Sequence, residues 1–226
     1  MYFNRKNLWI RFWLRYAGTR PFGRFAYRLA AMGTPPYYGR FFLSHLNARG
    51  YISYKAKLHH PLLKLGNHIF IGDNILIYQD NAGGPVILED NVKLIGNTTI
   101  QTGEGGSCSI GKETTIQPNC QFSAYKSAIQ IGARVAVAPN CAFYPYNHGI
   151  APEQRIYDQP LQSKGDIIIE DDVWLSVGTI ILDGVHIGQG AVIGAGSVVA
   201  KDVPSGAVAV GTPARVIKMR DDISIH

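Results

Sequence analysis

IEDDVWLSVGTIILDGVHIGQGAVIGAGSVVAKDV, residues 169–203, carries an aliphatic residue at every sixth position. Those positions are Ile169, Leu175, Ile181, Ile187, Ile193 and Val199. Four residues after each of them comes another small or aliphatic residue, from Val173 to Val203. Because an α-helix repeats every 3.6 residues and an alternating strand every two, a sustained period of six indicates neither.

The same period continues upstream in shorter runs. These runs start at Leu65, Leu88, Ile110 and Ile131, which are 23, 22 and 21 residues apart. Three units of six residues therefore leave three to five additional residues in each turn. The additional residues are expected at one corner of each turn.

Each six-residue unit reads as one short strand and one corner. Three units close a triangular coil, and stacking coils about 4.8 Å apart pairs every strand with those above and below it. The sequence therefore predicts an all-β parallel β-helix over residues 61–212. A short, helical N-terminal segment, residues 1–60, precedes it, and a tail, residues 213–226, follows it.

The net charge of +6 conceals two unlike parts of the 226-residue chain. Residues 1–72 contain twelve lysines and arginines and no acidic residue, whereas the other 154 residues carry ten against sixteen acidic residues. Residues 5–30 mix arginines with aromatic residues, and helices are predicted at 4–16 and 21–32. Such a segment suits either a cap on the first coil or contact with an anionic membrane surface, and nucleic-acid binding is not expected.

The cysteines and the N-terminal residues indicate the cellular compartment in which the protein works. Cys108, Cys120 and Cys141 form no CxxC or Cys/His metal spacing, so a reducing compartment and no metal requirement are expected. Arg11 and Arg15 interrupt the N-terminal apolar run, which therefore reads as neither a signal peptide nor a membrane span. We expect a cytoplasmic protein, peripheral on the cytosolic face of the inner membrane if residues 5–30 contact lipid.

The stretch IGARVAVAPNCAFYPYNHG, residues 131–149, and the ungapped run from Trp174 to Lys218 resemble the hexapeptide-repeat acyltransferases. Within that family, the stretches resemble especially galactoside and maltose O-acetyltransferases and bacterial polysaccharide O-acetyltransferases. Leu175-Ser176 departs from the usual Ile-Gly, although Leu175 keeps its inward position. The resemblance implies a left-handed β-helix, a homotrimer with active sites between adjacent prisms, and acetyl transfer from acetyl-CoA.

His148 is the candidate catalytic base. It ends a complete coil and precedes an excursion loop, residues 149–166, that does not keep the repeat. Insertions of this length in compact domains are commonly functional. A neutral imidazole can accept the proton of a sugar hydroxyl that attacks a thioester, and direct transfer without a covalent enzyme intermediate is predicted. Glu153 and Asp158 are candidates for orienting the ring.

The resemblance assigns further roles on both sides of His148. The residues expected to contact the coenzyme are Trp174, Val177, Ala195, Lys201, Arg215 and Lys218. The last three would pair with its phosphates, because cations bind phosphate oxygens with charge-assisted hydrogen bonds. The residues expected near a carbohydrate or lipid-linked glycan acceptor are Ser123, Tyr144, Tyr146 and Asn147. Packing at a subunit interface is an equally good interpretation of the two tyrosines.

Three other functions compete with O-acetyl transfer to a glycan. The nearest is N-acetyl transfer to an amino nucleotide sugar. A γ-type carbonic anhydrase would need several metal-binding histidines, and the characteristic close pair is absent since His148 and His186 stand alone. A non-enzymatic scaffold is the third, and His148 beside a coenzyme-like C-terminal half argues against it.

Overall fold

A computed structural model describes residues 5–35 and 37–222, and most of the chain winds through three parallel sheets. Sheet A consists of β1 (Tyr51–Ile52), β4 (Phe70–Asp73), β7 (Lys93–Gly96), β10 (Thr115–Ile116), β13 (Ala136–Val137), β18 (Trp174–Leu175), β21 (Val192–Ile193), β23 (Ala207–Gly211) and β24 (Ala214–Met219). Sheet B consists of β2 (Lys57–His59), β5 (Leu76–Gln79), β8 (Thr99–Gly103), β11 (Gln121–Tyr125), β14 (Ala142–Tyr144), β19 (Ile180–Leu182) and β22 (Val198–Val199). Sheet C consists of β3 (Leu63–Leu65), β6 (Val86–Leu88), β9 (Cys108–Ile110), β12 (Ile129–Ile131), β17 (Ile167–Ile169) and β20 (His186–Ile187).

The chain visits the sheets in the order A, B, C for about seven turns, so each strand pairs with the strand one turn away. The register aligns the six-residue positions, as in the pairs Ile71 with Leu94 and Phe122 with Phe143. All but Leu65 of the residues predicted to point inward are buried, and the rings of Phe122 and Phe143 stack at 4.4 Å. The predicted parallel β-helix is confirmed.

The additional residues of the early turns lie at one corner, where the chain passes from sheet B to sheet C. We call this corner the B–C edge. It holds six residues, 80–85, between β5 and β6, and the whole of the excursion loop between β14 and β17. At the corner between sheets A and B, Asn97, Asn119 and Asn140 adopt positive φ angles of 49°, 64° and 62°. Asparagine tolerates this left-handed conformation better than most residues, so glycine is not needed at every corner.

Both ends of the β-helix extend beyond the repeats recognisable in the sequence. The first coil begins with β1 at Tyr51, ten residues before the predicted start, because Ile52 and Leu58 already occupy inward positions opposite Ile71 and Ile77. At the other end, β24 pairs antiparallel with β23 and lies within the predicted tail. Residues 223–226 of that tail lie outside the described residues.

The N-terminal segment forms short helices, as predicted. They are α1 (Arg5–Leu14), α2 (Pro21–Ala30), a 3-10 turn (Tyr37–Arg40) and α3 (Phe41–His45), and residue 4 of the predicted first helix lies outside the described residues. Arg24 donates hydrogen bonds of 2.6 and 2.5 Å to the carbonyl oxygens of Ser53 and Ala56 in the first coil. Tyr27 is fully buried, with its ring 5.5 Å from that of Tyr51. We call these helices the cap.

None of the helices among the described residues is long and apolar enough to cross a membrane.

Candidate active site

The predicted excursion leaves the β-helix after β14 and returns at β17. Its two limbs pair as short antiparallel strands, β15 (Asn147–His148) and β16 (Leu161–Gln162), with His148 opposite Leu161. Because this pairing closes the base of the loop, His148 occupies a fixed backbone position beside the B–C edge.

The loop itself is held by one buried side chain. Gln159 accepts a hydrogen bond of 2.8 Å from the amide of Ala151 and donates bonds of 2.9 Å to the carbonyl oxygens of Ala151 and Gln154. A side chain at Gly149 would collide with it, since an added Cβ would lie 2.7 Å from Gln159 Oε1. Gln159 is 7% exposed, so these bonds form a small polar core inside the loop.

The His148 side chain is exposed. Neither of its ring nitrogens makes a hydrogen bond to any residue in the ranges 5–35 and 37–222, which leaves both available to a ligand or another chain. The two carboxylates proposed to orient the ring do not contact it. Asp158 instead pairs with Arg155 at 2.7 Å, three residues away, and Glu153 is exposed at the loop surface. Within the described residues, neither carboxylate therefore orients the ring.

Asp183, which the sequence analysis overlooked, anchors the residues around His148. It lies at the B–C edge one turn beyond the excursion, and its side chain is 3% exposed. Its Oδ1 accepts a hydrogen bond of 2.8 Å from Asn147 Nδ2, and its Oδ2 accepts one of 3.0 Å from the amide of Lys164. One carboxylate therefore ties both limbs of the loop to the β-helix. Its place at the first B–C corner after the longest insertion is the signal that could have revealed it.

The predicted acceptor residues lie together beside His148. Tyr146 is 3.3 Å from Ser123, oxygen to oxygen, and its ring centre is 6.0 Å from that of Tyr144. Tyr125, one turn earlier, adds a ring 5.5 Å from that of Tyr146. Burial and a hydrogen bond donated to Asp80 raise the pKa of Tyr125 to about 12, so its hydroxyl is protonated at neutral pH. The result is a half-buried aromatic strip that descends from His148 toward the cap.

The predicted coenzyme residues form two groups. Trp174, Val177 and Ala195 are exposed on sheet A or at the corner after it, where the amide of Gly196 donates to the carbonyl of Val177 at 2.8 Å. Arg215 and Lys218 are exposed on β24 of the same sheet. Lys201 lies apart, at the B–C edge two turns beyond His148. Sheet A and the B–C edge are different sides of the prism, so one chain does not bring His148 and Trp174 together.

Known proteins share this architecture. Residues 166–201 match the family described as bacterial transferase hexapeptide (six repeats). The crystal structure of the polySia specific acetyltransferase NeuO superposes with a TM-score of 0.62 at 28% identity, covering 70% of this chain and 71% of that chain. The chain belongs to the hexapeptide-repeat transferase family.

Two further relatives of this hexapeptide-repeat transferase carry named activities. The 2,3,4,5-tetrahydropyridine-2,6-dicarboxylate N-acetyltransferase of Staphylococcus aureus (strain JH9) is 49% identical over 61 residues, which are 27% of this chain and 26% of that protein. The chain thus spans about a quarter of the length of the curated relatives that it matches. A maltose O-acetyltransferase from Clostridium difficile 630 is 33% identical, covers 62% of this chain and 70% of that one, and has a TM-score of 0.45.

The cysteines of this hexapeptide-repeat transferase are core residues. Cys120 and Cys141 are 2% and 1% exposed and lie in successive turns, as predicted for small inward positions. The contact with Cys141 and burial both raise the pKa of the Cys120 thiol, and burial raises that of Cys108 to about 12. A buried thiol with a raised pKa is a poor nucleophile.

His60, His68 and His186 have hydrogen-bonding partners within the chain. His186 points outward as predicted and pairs with Glu170 at 2.9 Å, and His60 is buried and bonded to Thr102 at 2.9 Å. Among residues 5–35 and 37–222, no cluster of three or more His, Cys, Asp or Glu side chains could hold a metal ion. Within the described chain, His148 shares an exposed ring without a hydrogen bond with His45 and His59, and differs from them in its place beside the excursion loop.

Proposed function

We propose that this hexapeptide-repeat transferase moves an acetyl group from acetyl-CoA to a hydroxyl of a sugar or glycan precursor, with His148 as general base. The observation that carries the proposal is the His148 imidazole itself. It is exposed, it has no hydrogen-bonding partner among the described residues, and its backbone is fixed by β15 and by the Asn147–Asp183 bond. A general base must reach the proton that it removes, and this ring projects from a fixed backbone position with both nitrogens available.

The residues around His148 suit direct transfer. Acetyl-CoA, when bound, supplies a thioester carbonyl and a sulfur leaving group. One ring nitrogen of His148 accepts the acceptor's hydroxyl proton as that oxygen attacks, and the resulting imidazolium returns the proton to the departing sulfur. General-base assistance of this kind contributes about 10²- to 10⁴-fold. All three cysteines are buried, so none is accessible as a competing nucleophile.

Sheet A offers a surface that fits an extended coenzyme. Trp174, Val192, Val208 and Lys218 lie opposite one another on successive strands, so they form one row across the sheet. With about 4.8 Å between strands, the row is about 14 Å long. It has the exposed Trp174 ring at one end and the Lys218 ammonium at the other, with Arg215 nearby on β24. Apolar groups followed by cations match the chemistry of a pantetheine arm that ends in phosphates.

A complete site then needs two copies of the chain. His148 is at the B–C edge and the Trp174 row is on sheet A, so a threefold arrangement would set the edge of one prism against the sheet of the next. Such an interface is heterologous, and three of them close a ring. We propose a homotrimer with three identical sites, each using His148 of one subunit and the row of its neighbour.

The acceptor would bind along the aromatic strip. Tyr144, Tyr146 and Ser123 lie within one turn of His148, and Tyr125 extends the strip by another ring. Flat aromatic faces beside hydroxyl groups suit a sugar, because a pyranose ring has apolar faces and polar edges. NeuO is named as specific for polySia, a glycan, which supports a carbohydrate acceptor here.

The relative from S. aureus favours a second candidate, N-acetyl transfer to an amino acceptor. The two reactions need the same base, because an amine nucleophile also loses a proton. The products differ in stability: mild hydroxylamine removes an acetyl ester but leaves an acetamide intact.

The deciding experiment uses matched acceptors. Acetyl transfer from radiolabelled acetyl-CoA would be measured for sugars and glycolipids that differ only by a hydroxyl or an amine at one position, followed by hydroxylamine treatment. We expect hydroxylamine-labile label. His148→Ala should lose at least about 10²-fold in turnover. His186→Ala, which removes another exposed imidazole, should remain active. A fully active His148→Ala enzyme would refute the proposal.

A further inference from the structure

The outer surface of the cap carries a continuous array of exposed aromatic side chains. Ring centres are 5.5 Å apart between Phe12 and Tyr16 and 6.3 Å between Tyr16 and Phe22. Phe12, Tyr16 and Phe22 are 51%, 51% and 62% exposed. Contiguous exposed apolar surface of this kind marks an interaction site rather than ordinary surface.

The side chains on the opposite side of the same helices are already packed in the hydrophobic core. Ile10, Leu14, Ala26 and Ala30 are buried in the hydrophobic core that the cap shares with the first coil. The aromatic array is therefore additional to the contacts that hold the cap in place, and capping does not explain it.

The cations of the cap also divide into two sets. Arg24 and Arg49 bond to backbone carbonyl oxygens, and Arg40 pairs with Asp73 at 3.4 Å. Arg11 and Arg15, by contrast, are exposed beside the aromatic array and form no ion pair within the described residues. Since residues 1–72 contain no acidic side chain, nothing in this part of the sequence neutralises them.

A groove of about 490 Å³ opens between the array and the first coil. It is lined by Tyr16, Arg20, Phe22, Arg49, Ile52 and Leu65, among others. The Arg20 guanidinium suits the phosphate of a phospholipid, and the apolar walls beside it suit the start of an acyl chain.

We propose that the cap docks onto the surface of an anionic phospholipid bilayer. Phe12, Tyr16 and Phe22 enter the interface between headgroups and acyl chains, while Arg11, Arg15 and Arg20 contact lipid phosphates. Charge complementarity selects this occupant, because an exposed aromatic surface bordered only by cations fits an anionic interface. The proposal concerns where the enzyme works and does not depend on its reaction.

Vesicle co-sedimentation of the full chain tests the proposal. Vesicles of phosphatidylglycerol mixed with phosphatidylcholine should bind the protein, whereas phosphatidylcholine alone should bind it far more weakly. Raising the salt from about 0.1 to about 1 M should release much of it, because the Debye length falls from about 10 to about 3 Å. Arg11→Gln/Arg15→Gln should weaken binding to the anionic vesicles about 30-fold, given the attraction of each cation near such a surface.

Two further variants make the test specific. Lys112→Gln/Lys164→Gln removes the same charge from exposed positions away from the cap and should bind as the wild type does. Phe12→Ser/Phe22→Ser should weaken binding to the anionic vesicles about tenfold or more. If circular dichroism shows that the serine variant is misfolded, the arginine variant still tests the proposal, because it alters only exposed side chains. Equal binding to neutral and anionic vesicles would overturn the proposal, and so would a change in oligomeric state instead of lipid binding.

Discussion

Asn147 Nδ2 lies 2.8 Å from Asp183 Oδ1, and this single hydrogen bond joins the strand that carries His148 to the next turn of the β-helix. The acceptor is nearly buried and also receives the amide of Lys164 from the returning limb. The position of the candidate base thus depends on a residue 35 positions later in the chain, and Asp183 acts as a positioning residue.

A double-mutant cycle should measure that bond. Hydrogen bonds to charged groups contribute about 1.5–3 kcal/mol, so Asn147→Ala and Asp183→Ala should be coupled by roughly this amount in the free energy of unfolding. Both single variants should lower kcat while leaving the KM for acetyl-CoA near its normal value, because the coenzyme residues are untouched. Gln162→Ala, on the neighbouring strand, serves as the control. Additive effects of the two substitutions would show that the bond does not hold the site.

Gln159 should control how often the excursion loop opens. Gln159→Ala removes its three hydrogen bonds to the amide and carbonyl of Ala151 and the carbonyl of Gln154, each contributing about 0.5–1.5 kcal/mol. Trypsin should then cut after the exposed Arg155 about tenfold faster or more, while the global unfolding temperature hardly changes. Gln154→Ala, which removes only an exposed side chain from the same loop, should be cut at the normal rate.

Phe143 should be among the most sensitive core positions. Its ring is fully buried and stacks on Phe122 at 4.4 Å, in the turn that carries the excursion. Phe143→Ala should destabilise the protein by about 3–5 kcal/mol through lost burial and the cavity left behind. Thermal unfolding should shift downward by about 10 °C for a chain of this size. Tyr144→Ala, one residue later and half-buried, should shift it much less.

The cap should make stability fall at alkaline pH. Burial raises the pKa of Tyr27 in the folded protein to about 12, above its ordinary value of 10.0. The folded state therefore keeps this proton where the unfolded state loses it, so the stabilisation is complete below pH 10 and is lost as the pH rises toward 12. Tyr27→Phe should flatten the decline of the unfolding temperature between pH 9 and pH 11, measured by circular dichroism. Tyr54→Phe, at an exposed ring, should not.

The fold was predictable because each six-residue unit of the sequence corresponds to one strand and one corner of the prism. Ile169, Leu175 and Ile181 are each buried where the spacing places them. The first coil was harder to see, since Ile52 and Leu58 keep that spacing for one interval only. Their burial depends on the cap and on the next coil, which local pattern does not reveal.

The candidate site was predictable only in part. His148 stands out because the repeat breaks immediately after it. Asp183 and Gln159 do not stand out, because their roles come from hydrogen bonds to backbone and side chains brought near by the excursion. The pairing of Asp158 with Arg155 likewise depends on the 3-10 turn, Ile156–Asp158, that sets the two side chains together.

The composite site can be tested by mixing two impaired variants. If each site uses His148 of one subunit and Trp174 of the next, His148→Ala chains retain the sheet A row and Trp174→Ala chains retain the base. Random co-assembly should then create intact sites at about one quarter of the interfaces of a closed ring. The mixture, unfolded and refolded together, should recover about that fraction of wild-type turnover, above the sum of the separate variants. Mixing the folded variants without subunit exchange provides the control. If the refolded mixture shows no gain, each site must lie within one chain, and the separation of His148 from Trp174 would exclude the proposed row as the coenzyme surface.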